Sequence, residues 1–262
     1  TRIDTGPGWF MIADRRINDT HSKGVMSVAE AVQVSSNVAV AKIALEMKGE
    51  DYWKLLTRAG LGAPPRSGLP GEVSGRLRPS NTWRPIEKAT MSYGHGLSVS
   101  LLQLAHAYTA FANQGVMPHL TTLRREGTAT GVRVMNPDTA RQVLAMLERV
   151  TQDGGTAPMA RVAGFRVAGK TGTAHKLVDG RYAPDRYVSS FVGLAPASDP
   201  RLVVAVMVDE PNGKEYYGGL VAAPVFSRIM AGALRFMALP PDAPFDQGSA
   251  PPGAAPVVPE SV

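Results

Sequence analysis

Two short patterns bring together side chains that could carry out acyl transfer. Residues 170–172 read Lys-Thr-Gly and Thr173 follows them, while residues 35–37 read Ser-Ser-Asn. A serine hydroxyl can relay a proton, an ammonium group can stabilise developing negative charge, and threonine hydroxyls can bind a carboxylate. Each pattern alone is a weak signal, because a Ser-Ser-Asn sequence between two helices is most often a helix cap. Taken together, the two patterns indicate serine-type acyl transfer.

Residues 164–171 offer a competing interpretation, because they match the phosphate-binding loop G-x-x-x-x-G-K-[ST]. The apolar run 202–208, followed by two acidic residues, likewise resembles the strand and acid that hold magnesium in nucleotide-binding proteins. A phosphate-binding loop must, however, lead into a helix whose N-terminus faces the phosphates. The Gly-Thr that follows this loop is a poor helix start. We therefore expect Lys170 to lie on a strand, and we expect no ATP binding.

Helical spacing of apolar residues, capping residues and helix-breaking glycines predict six helices. They are expected over residues 27–34, 38–48 (ended by Gly49), 51–58, 101–113, 136–150 and 222–239. Residues 60–85 are rich in glycine and proline and predict a long loop. A loop of this length in a compact domain is usually functional or wraps a surface.

Three short segments rich in valine and aromatic residues are expected to be strands, over residues 165–174, 187–195 and 202–208. Polar turns separate them, so consecutive strands should pair antiparallel. The predicted fold class is therefore α+β, with a helical part and an antiparallel sheet covered by helices. The proline- and alanine-rich segment 240–262 predicts a disordered tail, which leaves residues 1–239 as the folded domain.

The composition limits the classes of partner and cofactor that the protein is expected to bind. The formal net charge of +6 favours anionic partners, but the basic residues do not cluster and no nucleic-acid-binding motif accompanies them, so nucleic acid is not expected. The absence of cysteine excludes disulfides and cysteine-ligated zinc. The five histidines (21, 95, 106, 119 and 175) lack ligand spacing, so neither a metal nor another cofactor is expected.

Several segments, taken in order, resemble class B penicillin-binding proteins, and most of all the septal transpeptidases of bacterial cell division. Enzymes of this kind use S-x-x-K, S-x-N-type and K-T-G elements. The resemblance runs from Thr1 to about Phe245. It implies a transpeptidase fold of the penicillin-binding-protein and serine β-lactamase type. It is carried by Ile-Asp-Thr at 3–5, Gln-Val-Ser-Ser-Asn-Val-Ala at 33–39, a tyrosine–glycine block at 89–105, the Lys-Thr-Gly block at 169–174 and a C-terminal block at 216–226.

The resemblance implies peptidoglycan cross-linking. A serine would attack the D-Ala–D-Ala amide of a stem peptide, D-alanine would leave, and an amine of a neighbouring stem peptide would attack the acyl-enzyme. Ser35 would relay a proton to the leaving amine. Asn37 would hold both the peptide and a catalytic lysine. Lys170 would supply positive charge towards the substrate carboxylate.

The other site residues that the resemblance implies bind substrate. Thr171 and Thr173 would donate hydrogen bonds to the substrate carboxylate, and the Thr173 N–H would be one oxyanion donor. Gly172 would leave room for substrate along the strand. Tyr93 and Tyr217 would line the groove, although Tyr93 could equally be a core residue and Tyr217 an edge-strand aromatic.

The S-x-x-K nucleophile is not among the 262 residues, because no serine has a lysine three residues later. The resemblance implies that this serine, its helix and two sheet strands precede Thr1, so the domain is expected to be truncated and the chain alone inactive. An upstream anchor is expected to hold the full-length protein at the periplasmic face of the bacterial inner membrane. The implied partners are peptidoglycan stem peptides, β-lactams and, for the full-length protein, divisome membrane proteins.

Two other functions remain open at this point. One is hydrolysis on the same fold, as a D,D-carboxypeptidase or β-lactamase, in which a positioned water replaces the amine acceptor. The other is a non-catalytic scaffold module, which the absent serine permits. The blocks around Tyr93 and Tyr217 favour transpeptidation.

Overall fold

A computed structural model describes residues 1–20, 23–124, 126–127 and 130–245 of the chain. The chain divides into two compact units, the first formed by residues 1–26 with 37–142 and the second by residues 27–36 with 143–262. None of the helices in the described ranges combines the length and the apolar character needed to cross a bilayer. Residues 246–262 of the expected disordered tail lie outside the described residues.

Helices and strands are both present, which confirms the α+β class. The described helices are α1 (Val28–Val34), α2 (Asn37–Glu46), α3 (Gly49–Arg58), α4 (Pro85–Met91), α5 (Leu101–Ala112), α6 (Pro137–Arg149), α7 (Gly218–Val221) and α8 (Ala223–Phe236). The described strands are β1 (Arg2–Asp4), β2 (Trp9–Ile12), β3 (Arg15–Asn18), β4 (Val25–Ser27), β5 (Val116–Pro118), β6 (Gly131–Arg133), β7 (Ala168–Val178), β8 (Arg181–Ala195) and β9 (Leu202–Asp209). Short 3-10 turns lie at Ser80–Thr82 and Pro158–Ala160.

The first unit is mainly helical, with three small two-stranded sheets at β1–β4, β2–β3 and β5–β6. The hairpin of β2 and β3 turns its inner face, including Ile17, onto the start of α2. Val38 and Ala41 of α2 and Ala89 of α4 complete this buried cluster. The small side chains on α2 let α4 approach closely, which is how two short helices bury enough apolar surface to be stable.

One helix boundary in this unit differs from the sequence prediction. Gly49 was expected to end a helix, but α2 already ends at Glu46 and Gly49 is the first residue of α3. Glu50 and Asp51 occupy the first turn of α3, where negative charge interacts favourably with the helix dipole. The acidic residues therefore favour a helix start here, and the glycine is tolerated at the first helical position.

The predicted long loop over residues 60–85 is present, and a buried side chain fixes it. The Nε2 of Gln103, on α5, donates to the carbonyl oxygens of Gly60 at 3.2 Å, Ala63 at 2.9 Å and Ser74 at 2.8 Å. Gln103 is only 2% exposed, so these bonds satisfy a polar group that would otherwise be costly to bury. The helix α4, which follows the loop, was not predicted.

The second unit is built on the antiparallel sheet β7-β8-β9, so the predicted pairing of consecutive strands is confirmed. β7 and β8 are longer than predicted because a two-residue turn at Asp179 and Gly180 joins them directly. Both turn residues have positive φ, 49° and 78°, which is the Asp-Gly turn that suits a tight hairpin. Lys170 lies within β7, and the strand continues to Val178 with no helix after it. The expectation of a strand at Lys170 is therefore confirmed.

Helix α8 covers this sheet and closes the core of the second unit. Phe191 of β8 and Phe226 of α8 meet edge to face at 4.7 Å between ring centroids, and both are fully buried. The single helix predicted over 222–239 is confirmed as α8, with Pro224 in its first turn, and the short helix α7, which was not predicted, precedes it. Proline suits the first turn because its missing N–H would have no partner there.

The beginning of the expected disordered tail is held in place. The Asp242 carboxylate accepts hydrogen bonds from Arg166 N at 2.7 Å and from Ser198 Oγ at 2.6 Å, and the Asp242 N–H donates to Gly164 O at 3.1 Å. Residues 240–245 are therefore part of the ordered second unit, in contrast to the predicted boundary at residue 240.

Candidate active site

Ser35 ends helix α1 in an unusual backbone conformation. Its φ and ψ of 59° and 48° are left-handed, while its backbone N–H still bonds to carbonyl oxygens of α1. A residue with a β-carbon adopts this conformation only at a cost, which the surrounding structure must offset. α1 itself is fixed at its start, where Ser27 and Glu30 form a reciprocal capping box. Ser35 is thus a helix cap, as is usual for a Ser-Ser-Asn sequence between two helices. Its side chain also has a hydrogen-bond partner outside the helix.

Lys170 reaches that side chain from near the start of β7, an edge strand of the described sheet. Its Nζ lies 2.7 Å from Ser35 Oγ, 3.2 Å from Thr171 O and 3.3 Å from Thr171 Oγ1. The ammonium group only donates, so each of these oxygens accepts. The structure therefore joins the two sequence patterns, 135 positions apart, in one charge-assisted hydrogen bond.

Thr171 is largely buried. Its side chain is 7% exposed, and its Oγ1 lies 2.8 Å from Oγ1 of Thr156, which is fully buried. The expected role of Thr171 in binding a substrate carboxylate stays a prediction. Thr156 was missed by sequence reasoning, because a threonine after Gly-Gly carries no periodic or motif signal.

Thr173 follows two positions later on the same strand, with its side chain partly buried. Its Oγ1 accepts a hydrogen bond from the backbone N–H of Gly218 at 2.9 Å. This bond ties the start of α7 to β7. The proposed use of Thr173 as an oxyanion donor and carboxylate ligand stays a prediction.

Gly172 lies opposite Ser190 on the neighbouring strand β8. A β-carbon at Gly172 would lie 2.6 Å from Ser190 Oγ, so the serine hydroxyl would have to rotate away to make room for it. The expected role of Gly172, to leave space for substrate along the strand, stays a prediction.

Tyr217 belongs to a row of stacked aromatic rings next to this strand. The rings of Tyr216 and Tyr217 lie 4.5 Å apart, and Tyr216 stacks on Tyr187 at 4.0 Å with an angle of 13° between the planes. His175 continues the row, 4.7 Å from Tyr187. Desolvation raises the pKa of Tyr187 above its ordinary value, with a smaller contribution from Tyr216. Ser189 Oγ donates to the carbonyl oxygen of Tyr216 and fixes this segment to the sheet.

Asn37 and Tyr93 are placed in the first unit. Asn37 is buried and is the first residue of α2, and the carboxylate of Asp19 accepts from the N–H of Val38 at 2.9 Å, which caps that helix end. Tyr93 packs against the buried cluster around Ile17, as a core residue would. Burial raises the pKa of Tyr93 to about 12. The catalytic role of Asn37 and the groove-lining role of Tyr93 stay predictions.

The arrangement around Lys170 can stabilise negative charge and relay a proton, and it contains oxygen and nitrogen donors suited to an anionic group. In the described residues, no group of three or more histidine, aspartate or glutamate side chains converges on a point where a metal ion could bind. The ammonium and hydroxyl groups around Lys170 support acid–base and hydrogen-bonding chemistry.

Comparison with known proteins identifies the family of the chain. The penicillin binding protein transpeptidase domain family matches residues 1–231. The "probable peptidoglycan D,D-transpeptidase PenA" of Neisseria gonorrhoeae is 43% identical over 243 residues, which is 93% of this chain and 42% of that protein. The "peptidoglycan D,D-transpeptidase FtsI" of Escherichia coli is 39% identical over 235 residues, 89% of this chain and 40% of that protein. The chain thus spans less than half the length of these relatives.

A solved structure resembles the chain closely. The apo transpeptidase domain of Burkholderia pseudomallei penicillin-binding protein 3 superposes with a TM-score of 0.89 at 48% identity, over 93% of this chain and 74% of that one. The overall fold is therefore the one predicted from the sequence.

Proposed function

Because the chain belongs to the penicillin-binding protein transpeptidase family, we propose that it is part of a peptidoglycan D,D-transpeptidase. The enzyme would act on stem peptides that end in D-Ala–D-Ala and would be acylated by penicillins. The observation that carries the proposal is the 2.7 Å contact between Lys170 Nζ and Ser35 Oγ. It gives a hydroxyl a positively charged neighbour, as proton relay during acyl transfer requires.

The proposed reaction has two steps. A serine oxygen forms a bond to the carbonyl carbon of the penultimate D-alanine, the C–N bond breaks, and the serine proton reaches the leaving amine through Ser35. The acyl group then passes to an acceptor amine, which regenerates the serine. No serine of the chain is followed by lysine at the third position, so the proposal assigns Ser35 a relay role and the nucleophile to a residue outside these 262.

Substrate binding is assigned to the strand and the aromatic row. The Lys170 ammonium group would attract the carboxylate of the terminal D-alanine, with Thr171 and Thr173 as hydrogen-bond donors. The rings of Tyr216 and Tyr217 would form an apolar wall beside the strand. Asn37 would hold the peptide, and Tyr93 would line the groove.

The cellular setting is part of the same proposal. We assign the protein to septal cell-wall synthesis at the periplasmic face of the inner membrane, with membrane proteins of the divisome as partners. The resemblance of residues 89–105 and 216–226 to the septal members of the family supports this assignment.

The test uses the protein as its gene encodes it. It should be incubated with a fluorescent penicillin and, separately, with a D-Ala–D-Ala stem peptide and an amine acceptor. Covalent labelling, D-alanine release and a cross-linked product are expected. Release of D-alanine with hydrolysed product alone would instead identify a carboxypeptidase, and turnover of the penicillin would identify a β-lactamase. Absence of both labelling and turnover would contradict an enzymatic function and favour a non-catalytic scaffold module.

A further inference from the structure

A buried hydroxyl behind the Lys-Thr-Gly strand has no part in the reaction described above. Thr156 lies just before the turn Pro158–Ala160, is fully buried, and contacts Thr171 Oγ1 at 2.8 Å through its own Oγ1. Among the described residues, Thr171 is the one hydrogen-bond partner of the Thr156 hydroxyl. A hydroxyl buried so completely must donate its hydrogen bond to that partner, because a buried donor without an acceptor is costly.

The direction of the hydrogen bonds follows from counting protons. Lys170 Nζ lies 3.3 Å from Thr171 Oγ1 and can only donate, so it occupies one lone pair of that oxygen. If Thr171 donated to Thr156, the Thr156 proton would have no acceptor in the described structure. Thr156 must therefore donate, and it occupies the second lone pair. Both acceptor positions of Thr171 Oγ1 are then filled, and its own proton points away from Lys170 and Thr156.

We propose that Thr156 is a positioning residue: it sets the Thr171 hydroxyl as a donor towards an anionic group of the substrate and steadies Lys170 beside Ser35. The Thr171 oxygen cannot accept a further strong hydrogen bond, so it can present only its proton. A carboxylate is the group that this arrangement selects, because it accepts hydrogen bonds and is attracted by the ammonium group. The inference rests on the proposed function, since it concerns how the same site recognises its substrate.

The experiment compares Thr156→Val with Thr156→Ser in the protein as its gene encodes it. Valine keeps the branched shape and removes the hydroxyl, whereas serine keeps the hydroxyl. We expect Thr156→Val to lower the second-order rate of acylation by benzylpenicillin about tenfold, because the Thr171 hydroxyl would no longer be directed as a donor towards the carboxylate. The loss should be much smaller with benzylpenicillin methyl ester, which lacks the anion. Thr156→Ser should acylate at a rate close to that of the unmodified protein with both compounds.

Thr151→Val is the matched control. Thr151 is also a buried threonine of the second unit, but its Oγ1 donates to Val167 O at 2.8 Å. Among the described residues, no hydrogen bond joins the Thr151 hydroxyl to Lys170 or Thr171. Thermal denaturation shows whether each variant is folded. If Thr156→Val does not fold, Thr156→Ala and Thr156→Ser, which differ by one oxygen atom, replace the comparison.

The outcomes separate this inference from the proposed function. If the unmodified protein is not acylated, the proposed function itself is wrong. If it is acylated and Thr156→Val keeps its full rate, the inference is wrong. The inference is also wrong if Thr156→Ser is acylated as slowly as Thr156→Val. It is wrong too if Thr156→Val slows acylation by the ester and by the acid by the same factor, because a purely structural role would give these results.

Discussion

The backbone N–H of Gly218 donates a hydrogen bond of 2.9 Å to the hydroxyl oxygen of Thr173. Gly218 is buried, and a β-carbon there would lie 2.4 Å from Ser190 O and 2.7 Å from Gly172 O. The helix α7 can approach the sheet this closely only because its first residue has no side chain. The geometry of Thr173 therefore depends on a residue that carries no reactive group.

Replacing Gly218 by alanine is expected to push α7 away from the sheet and break its bond to Thr173. Overpacking of this kind costs about 1–3 kcal/mol of stability. The melting temperature should fall and penicillin acylation should slow. Gly232→Ala is the control, because Gly232 lies within α8 with open space around its β-carbon position. It should be neutral or stabilising, since alanine favours helix. Equal melting temperatures for both variants would contradict this account.

Lys170→Ala is expected to lower the rate of penicillin acylation by at least about a hundredfold, because it removes the positive charge from the site and leaves Ser35 Oγ without its donor. Ser35→Ala should have a comparable or somewhat milder effect. Stopped-flow measurement with a fluorescent penicillin gives both rates. Lys176→Ala is the control, since Lys176 lies on the same strand but pairs with Asp209 and Glu210. Normal rates for both Lys170→Ala and Ser35→Ala would show that the site is assigned wrongly.

The parts of the site that the sequence could predict are those with a local signal. The strand at Lys170 follows from its β-branched neighbours and from the poor helix start after it, and the turn at Asp179–Gly180 follows from residue types that tolerate positive φ. The family resemblance assigned Lys170 and Ser35 to one site, but it did not predict their direct hydrogen bond, and nothing local in the sequence links residues so far apart. Thr156 could not be found by either route, since its importance comes from burial in the folded core.

The same reasoning explains the errors. Gly49 was predicted to end a helix from propensity alone, whereas the acidic residues after it favour a new helix. Tyr187 was not singled out, although it lies opposite His175 in the β7–β8 register and stacks on Tyr216. The stacking of Tyr187 depends on where the segment before α7 folds back against β8. The residue pattern of β8 itself carries no information about that segment.

Glu210 is expected to make stability depend on pH in the acidic range. Hydrogen bonds from Arg186, and then from Lys176, lower the pKa of Glu210 to about 2. A glutamate in an unfolded chain has a pKa of about 4.3. Because the folded pKa is the lower one, this stabilisation is fully present above pH 4.3 and is lost as the pH falls towards 2.

Melting temperatures of the unmodified protein and of Glu210→Gln should therefore differ at neutral pH and converge near pH 2. Glu215→Gln is a suitable control, since Glu215 is exposed and no ion pair involves it among the described residues. A difference between the Glu210→Gln and unmodified proteins that persists unchanged to pH 2 would mean that charge pairing is not the cause.

No ATP binding is expected, although residues 164–171 match the phosphate-binding pattern. Lys170 lies within β7 and no helix follows, so no helix N-terminus is available to face a phosphate. Calorimetric titration with ATP and magnesium should show no heat of binding. A micromolar dissociation constant that is lost in Lys170→Ala would overturn the acyl-transfer assignment of this lysine.

The 262-residue chain, expressed alone, is expected not to form a covalent adduct with a fluorescent penicillin. No serine in it has the S-x-x-K spacing, and Ser35, the serine that contacts Lys170, is proposed to act as a relay. Poor solubility is also expected, because in the described residues β9 pairs with β8 alone, and its apolar run at the sheet edge can pair with other molecules.

Gel fluorescence and mass spectrometry of the intact chain test this expectation, with the protein as its gene encodes it as the positive control. The control should carry one penicilloyl group on a serine of an S-x-x-K sequence. If the chain alone is labelled and the adduct maps to Ser35, then Ser35 is the nucleophile and Lys170 its activating partner. The relay role proposed for Ser35 would then be wrong, whereas the importance of the Lys170–Ser35 contact would remain.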